Sequence, residues 1–180
     1  DVWADVHEVP WLGNIRIGQW RQPFGLDELT SVRELTFLER PTMFAMAPFR
    51  QPGIGFHNSN ADETMTWAGS VYGFQADQFG GTLGDRGVGT AERFTALLWN
   101  ECNGREVLHF GLDHALTVPN NPGLFYRNVP EYGGPFGGPG GTAGDVPFFV
   151  NTGIINAEMS NMVNMELAAV YNSLHMQGEL

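Results

Sequence analysis

Along most of this chain apolar and polar residues alternate one for one. That period suits an extended strand with two unlike faces and little else. Val2, Ala4 and Val6 alternate with Trp3, Asp5 and His7; Ile15 and Ile17 with Arg16 and Gly18; Ile54 and Phe56 with Gly53, Gly55 and His57. Met65, Trp67 and Val71 alternate with Thr64, Thr66, Ala68 and Ser70, and Phe94, Ala96 and Leu98 with Arg93, Thr95 and Leu97. A tight turn at 102–105, where Asn103-Gly104 tolerates positive φ, leads to Leu108, Phe110, Leu112 and Leu116 in alternation with His109, Gly111, Asp113 and Ala115. Val163 to Tyr171 and Leu174 to Leu180 repeat the pattern across a turn at Asn172-Ser173. The links alternate as well. Short ones at 10–14, 58–62, 101–105 and 172–173 take turns with long ones at 23–50, 76–88 and 119–161. An up-and-down antiparallel meander with its short turns at one end follows.

Two segments interrupt the strands. Residues 26–38 carry helix-compatible spacing through Leu26, Leu29, Val32 or Arg33, and Phe37, with Asp27-Glu28 at the end where a helix favours acids and with Pro23 and Pro41 bounding it. Residues 133–141 are glycine and proline apart from Phe136, a composition that reads as a loop, and short strands are expected beside it at 125–129 and 148–151.

Two architectures share this signature. A transmembrane β-barrel turns apolar residues to lipid and polar ones to a watery lumen, with short turns at one end and long loops at the other. Trp11, Trp20, Trp99, Tyr72 and Tyr171 near strand ends suit its interfacial girdles. A soluble antiparallel β-sandwich also alternates, and would make the chain a ligand- or carbohydrate-binding module. Composition excludes other classes. A net charge of −11 and a pI near 4.7 do not fit a nucleic-acid binder. One cysteine, Cys102, cannot form an internal disulfide, and no run reaches the roughly 20 apolar residues of a membrane helix. The 180 residues open without Met and inside a strand-like pattern, so the expectation is a portion of a longer protein.

The stretch from Trp11 to Pro41 resembles the phosphate-selective porin O and P family. The resemblance rests on the hairpin Leu12-Gly13-Asn14, the strand end Gln22-Pro23-Phe24, Glu28-Leu29-Thr30-Ser31 and the run Thr36 to Arg40. It continues through Ala47-Pro48-Phe49-Arg50 and Gly53-Ile54-Gly55, and more weakly through Thr66 to Tyr72 and Glu166 to Glu179. It implies an outer-membrane barrel of about sixteen strands, of which residues 1–180 are an internal part lacking the signal peptide. It further implies a homotrimer in Gram-negative-type outer-membrane lipid. Small anions such as phosphate would diffuse passively through a lumen narrowed by inward-folded loops and lined with basic side chains. All nine basic residues here are arginine and none is lysine.

Arg16 and Arg93 stand out of phase with their apolar neighbours and are expected to face the lumen. Arg21 falls in the other phase, beyond Trp20. Arg33, Arg40 and Arg50 lie in or beside the helical insert. They either define an anion constriction, since guanidinium stays charged and grips anions bidentately, or pair with Asp27, Glu28, Glu34 and Glu39 to fix the loop. Asp113 and Glu166 share the lumen phase and would brace arginines or favour cations. The five histidines show no ligand spacing, and Gly84 to Gly89 lacks the Lys-Ser/Thr of a phosphate loop. No spacing suggests catalysis, and no cofactor or metal is expected.

Overall fold

The computed structural model describes residues 1–74, 87–129, 138–139 and 147–180. Eight strands form one antiparallel sheet: β1 (Val2–Val9), β2 (Gly13–Arg21), β3 (Arg50–Ser59), β4 (Met65–Phe74), β5 (Gly87–Glu101), β6 (Glu106–Pro119), β10 (Ser160–Tyr171) and β11 (Leu174–Glu179). Each pairs with its neighbour in chain order, so the sheet is a meander whose edges are β1 and β11. Three short strands, β7 (Arg127–Val129), β8 (Gly138–Pro139) and β9 (Val150–Asn151), make a separate small sheet within the link from β6 to β10. The expected strands at 125–129 and 148–151 are thus two or three residues long. The glycine-proline stretch lies outside the described residues apart from 138–139, and so do residues 84–86 of the Gly84 to Gly89 segment, whose other half opens β5.

Ladder register assigns every side chain to a face, because directly opposed residues point the same way. Ile15 opposes Phe56 and Ile17 opposes Ile54; Trp67 opposes Phe94; Phe94 opposes Leu112; Leu112 opposes Met165. One face is therefore apolar across all eight strands, and it is open: Val2, Val6, Ile17, Ile54, Val71, Phe94, Leu112, Val163, Leu167 and Met176 are 41–80% exposed. The other face carries Arg16, His57, Ser70, Arg93, Thr95, Asp113, Asn164, Glu166 and Glu179, and there Ser70, Thr95, Asp113, Asn164 and Glu166 are buried. Water-soluble sheets bury the apolar face. This sheet does the reverse, which fits lipid outside and a packed polar interior, and a sandwich does not account for it.

What covers the polar face is the insert between β2 and β3. Its helix, α1, runs only from Leu26 to Leu29, followed by bends and a 3₁₀ turn at Thr42–Ala45. The helix expected over 26–38 is thus a single turn. Its stop is visible: Arg21 Nη1 donates to the carbonyls of Glu28, Leu29 and Thr30, and Thr30 turns to an extended conformation. Those are the acceptors a longer helix needs for its next turn.

Phe24 of the insert packs on Tyr72, Ala91 and Ala115. Tyr72 can lie flat there because position 89 is glycine; a Cβ at Gly89 would sit 2.5 Å from the ring. Two girdle assignments change accordingly. Tyr72 and Trp20 belong to the polar face and are buried under the insert, since both fall in the Arg16 phase. Trp11, Trp99 and Tyr171 remain exposed at the short-turn end, with the rings of Trp99 and Tyr171 6.3 Å apart.

The orientation of the sheet predicts an asymmetric response to charge. In the full barrel refolded into phospholipid vesicles, Leu112→Arg on the open face should lower unfolding stability by about 2–4 kcal/mol. Thr66→Arg on the opposite face should lower it far less. Equal losses in urea titrations would contradict the assignment of faces.

Candidate functional site

The polar face is organised by two carboxylates. Arg93 of β5 grips Glu166 of β10 with two parallel bonds, Nε to Oε1 at 2.8 Å and Nη2 to Oε2 at 2.7 Å, reaching across β6 between them. The carboxylate fits because position 111, opposite Glu166, is glycine; a Cβ there would lie 2.5 Å from Oε2. His109 Nε2 approaches the same oxygen at 3.0 Å. Asp113 stands 3.4 Å from Arg93 Nε. The charge-assisted fork from Arg93 and the neighbouring His109 ring nitrogen offset the desolvation of side chains that are fully buried.

The same cluster anchors the insert. The Gly25 N–H and the Asn164 amide both donate to Asp113 Oδ2, at 2.9 and 2.8 Å. The Asp27 N–H donates to Glu179 Oε1 at 2.6 Å, and Gln177 Nε2 to Asp27 Oδ1 at 2.7 Å. An insert that leaves the sheet at β2 is thus tied to β6 and β11.

Within the insert, Phe44 and Phe49 meet edge to face at 4.9 Å. Arg40 lies over Phe44 at 5.0 Å, while Arg50 and Arg21 lie over Phe49 at 4.2 and 5.2 Å. Arg40 also donates to the carbonyls of Asp27 and Thr30, and Arg50 pairs with Asp1 at 2.7 Å. Three guanidiniums therefore converge on one aromatic pair, held by ring faces as well as by acceptors. Arg33 is exposed. Arg16, on the sheet, holds Asp5 through bonds of 2.8 and 2.7 Å and lies 4.0 Å over the Trp3 ring. Two hollows lie between insert and sheet beside Pro23 and Leu29; Arg16 and His57 line one, and Asn14, His57, Ser59, Thr66 and Arg93 the other.

Glu28 is the group out of keeping with its surroundings. It is fully buried on the short helix, and neither carboxylate oxygen has a hydrogen-bond partner. Burial first, and the nearby Glu179 second, push its carboxyl well above the ordinary range, against the pull of Arg21 and Arg40.

Sequence reasoning put Arg16, Arg93, Asp113 and Glu166 in one phase, and the ladder has them on one face; it did not name Arg93 as the arginine that the two carboxylates meet. It missed Asp5, Gln177, Glu179 and the Phe44–Phe49 pair. Asp5 was within reach, because folding the first hairpin sets it opposite Arg16. The aromatic pair was not, since it depends on an irregular loop. Among the described residues no group of three or more His, Cys, Asp and Glu side chains is arranged to hold a metal ion.

Over its whole length, residues 1–180, the chain matches the family model described as phosphate-selective porin O and P. No curated protein matches it.

Two outcomes follow from the cluster. Arg93→Ala leaves the buried Glu166 without its main partner and should destabilise the barrel by about 3–5 kcal/mol in urea unfolding, while Arg93→Ala with Glu166→Ala should cost less than the sum of the singles. Glu28 holds its proton more tightly when the insert is docked. Docking is therefore strongest below the ordinary carboxylate range and weakens as pH rises through the raised value. Tryptic cleavage after Arg33 should quicken with pH relative to a Glu28→Gln variant; parallel pH profiles would contradict this.

Proposed function

The chain belongs to the phosphate-selective porin O and P family, a family of channels rather than enzymes, and from that premise we propose that it forms part of the wall of a water-filled pore in a Gram-negative-type outer membrane. The supporting observation is the inverted sheet, apolar where it is open and polar where the insert packs. In this reading β1 and β11 continue into further strands of a closed barrel, as unpaired backbone groups require in lipid. The pores assemble as homotrimers. Small hydrophilic solutes, phosphate and other small anions first among them, cross by diffusion.

The insert narrows the passage. Arg21, Arg40 and Arg50, turned around Phe44 and Phe49, and the exposed Arg33 bring positive charge to the constriction. Arg16 and Arg93 border the hollows along the wall, where their paired carboxylates brace them and temper the field. An anion entering a narrow lumen sheds part of its hydration. Guanidinium donors replace those bonds, and release requires that no single site hold the ion too well. Arginine suits this work because it stays ionised at any relevant pH.

Planar-bilayer recording of the full-length protein in a potassium chloride gradient tests the reading. The expected result is a stable ohmic channel with an anion-favouring reversal potential, reduced by Arg33→Ala, Arg40→Ala and Arg50→Ala together. A protein that inserts without conducting would remove the pore. Unchanged selectivity in the triple variant would make those arginines structural.

A further inference from the structure

The hollow that Arg93 borders holds about 330 Å³, inside the roughly 300–1,000 Å³ of small-ligand sites. Its two walls differ. The insert supplies Pro23 and Leu29, both apolar. The sheet supplies Asn14, His57, Ser59, Thr66 and Arg93 from its polar face: Asn14 opposes His57, Ser59 opposes Thr66, and Ala68 separates His57 from Arg93. The hollow lies towards the short-turn end, since Asn14 is near the start of β2 and Ser59 is the last residue of β3.

Charge in this hollow is already balanced. Among the described residues that line it, Arg93 is the one guanidinium, and two carboxylates meet it: Glu166 through the fork, and Asp113 at 3.4 Å. Arg16, on the neighbouring hollow, is engaged by Asp5. A phosphate placed beside Arg93 would lose hydration and meet no net positive field in return. The wall suits a different solute, because it both donates and accepts. Thr66 Oγ1 and Thr95 Oγ1 lie 2.6 Å apart; two hydroxyls that share one bond leave one proton to donate. The fork uses Nε and Nη2 of Arg93, which leaves the Nη1 edge for another acceptor. The Ser59 hydroxyl does both. Hydroxyls along one edge match this wall, and C–H faces match Pro23 and Leu29 across from it.

We propose that the hollow is a weak, saturable site for a neutral polyhydroxylated solute of monosaccharide size. The inference rests on the pore reading above and adds a solute class to it. Single-channel recording of the full-length protein in potassium chloride tests it, with glucose as the probe. Glucose should lower the current saturably. A polyethylene glycol of matched size, whose ether oxygens only accept, should lower it merely in step with the conductivity of the bulk solution. Ser59→Ala with Thr66→Val removes hydroxyls from the wall and should weaken the apparent glucose affinity about tenfold. A conducting channel in which glucose and the glycol act alike would overturn this inference alone, and that comparison decides by itself should the double variant fail to fold. An unchanged glucose affinity in a folded double variant would also overturn it, by placing the effect elsewhere in the lumen. A protein that inserts without conducting would overturn the pore reading and this inference with it.

Discussion

Two carboxylates without access to water, Asp113 and Glu166, hold the halves of this structure together. Glu166 is gripped by Arg93 and approached by His109; Asp113 accepts from Asn164 and from the backbone of the insert. Neither would persist there unpaired, because the cost of burying a bare charge exceeds any local packing gain. Their partners come from three strands and a loop. The sheet's alignment and the insert's position are therefore one electrostatic solution.

That solution explains why the usual distribution of residues is reversed. The polar face is crowded with an insert that brings its own phenylalanines, its own arginines and a backbone whose orphan donors need acceptors. Small wall residues make room for it: Gly89 under Tyr72, Gly111 under Glu166, and Ala91 and Ala115 under Phe24. The apolar face has no such counterpart among the described residues. The open apolar face and the insert's docking face are thus specified by the same strands, one residue apart.

Much of this was legible beforehand. Period-two alternation told which residues share a face, and link lengths told which ends carry loops. Arg16 and Arg93 could be placed because their phase was unambiguous. The insert resisted the same treatment. Leu26, Leu29, Val32 and Phe37 have helical spacing, yet Arg21 occupies the carbonyls that would carry the helix onward, and no one-dimensional pattern reveals a capping cation five residues upstream. Trp20 and Tyr72 misled in the opposite direction. Aromatics near strand ends suit a membrane girdle, but their phase put them beneath the insert, and phase was the better guide.

The anchoring of the insert also has a meaning for the order of assembly. The bond from Gly25 to Asp113 joins residues 88 apart in sequence, and that from Asp27 to Glu179 joins residues 152 apart. The hairpins of the wall close over much shorter loops, and contacts of low sequence separation form first. The insert gains its last acceptor only when β11 has zipped onto β10. The eight strands thus come together before the insert is fully docked on them, and the β10–β11 hairpin fastens the insert from the far edge of the sheet.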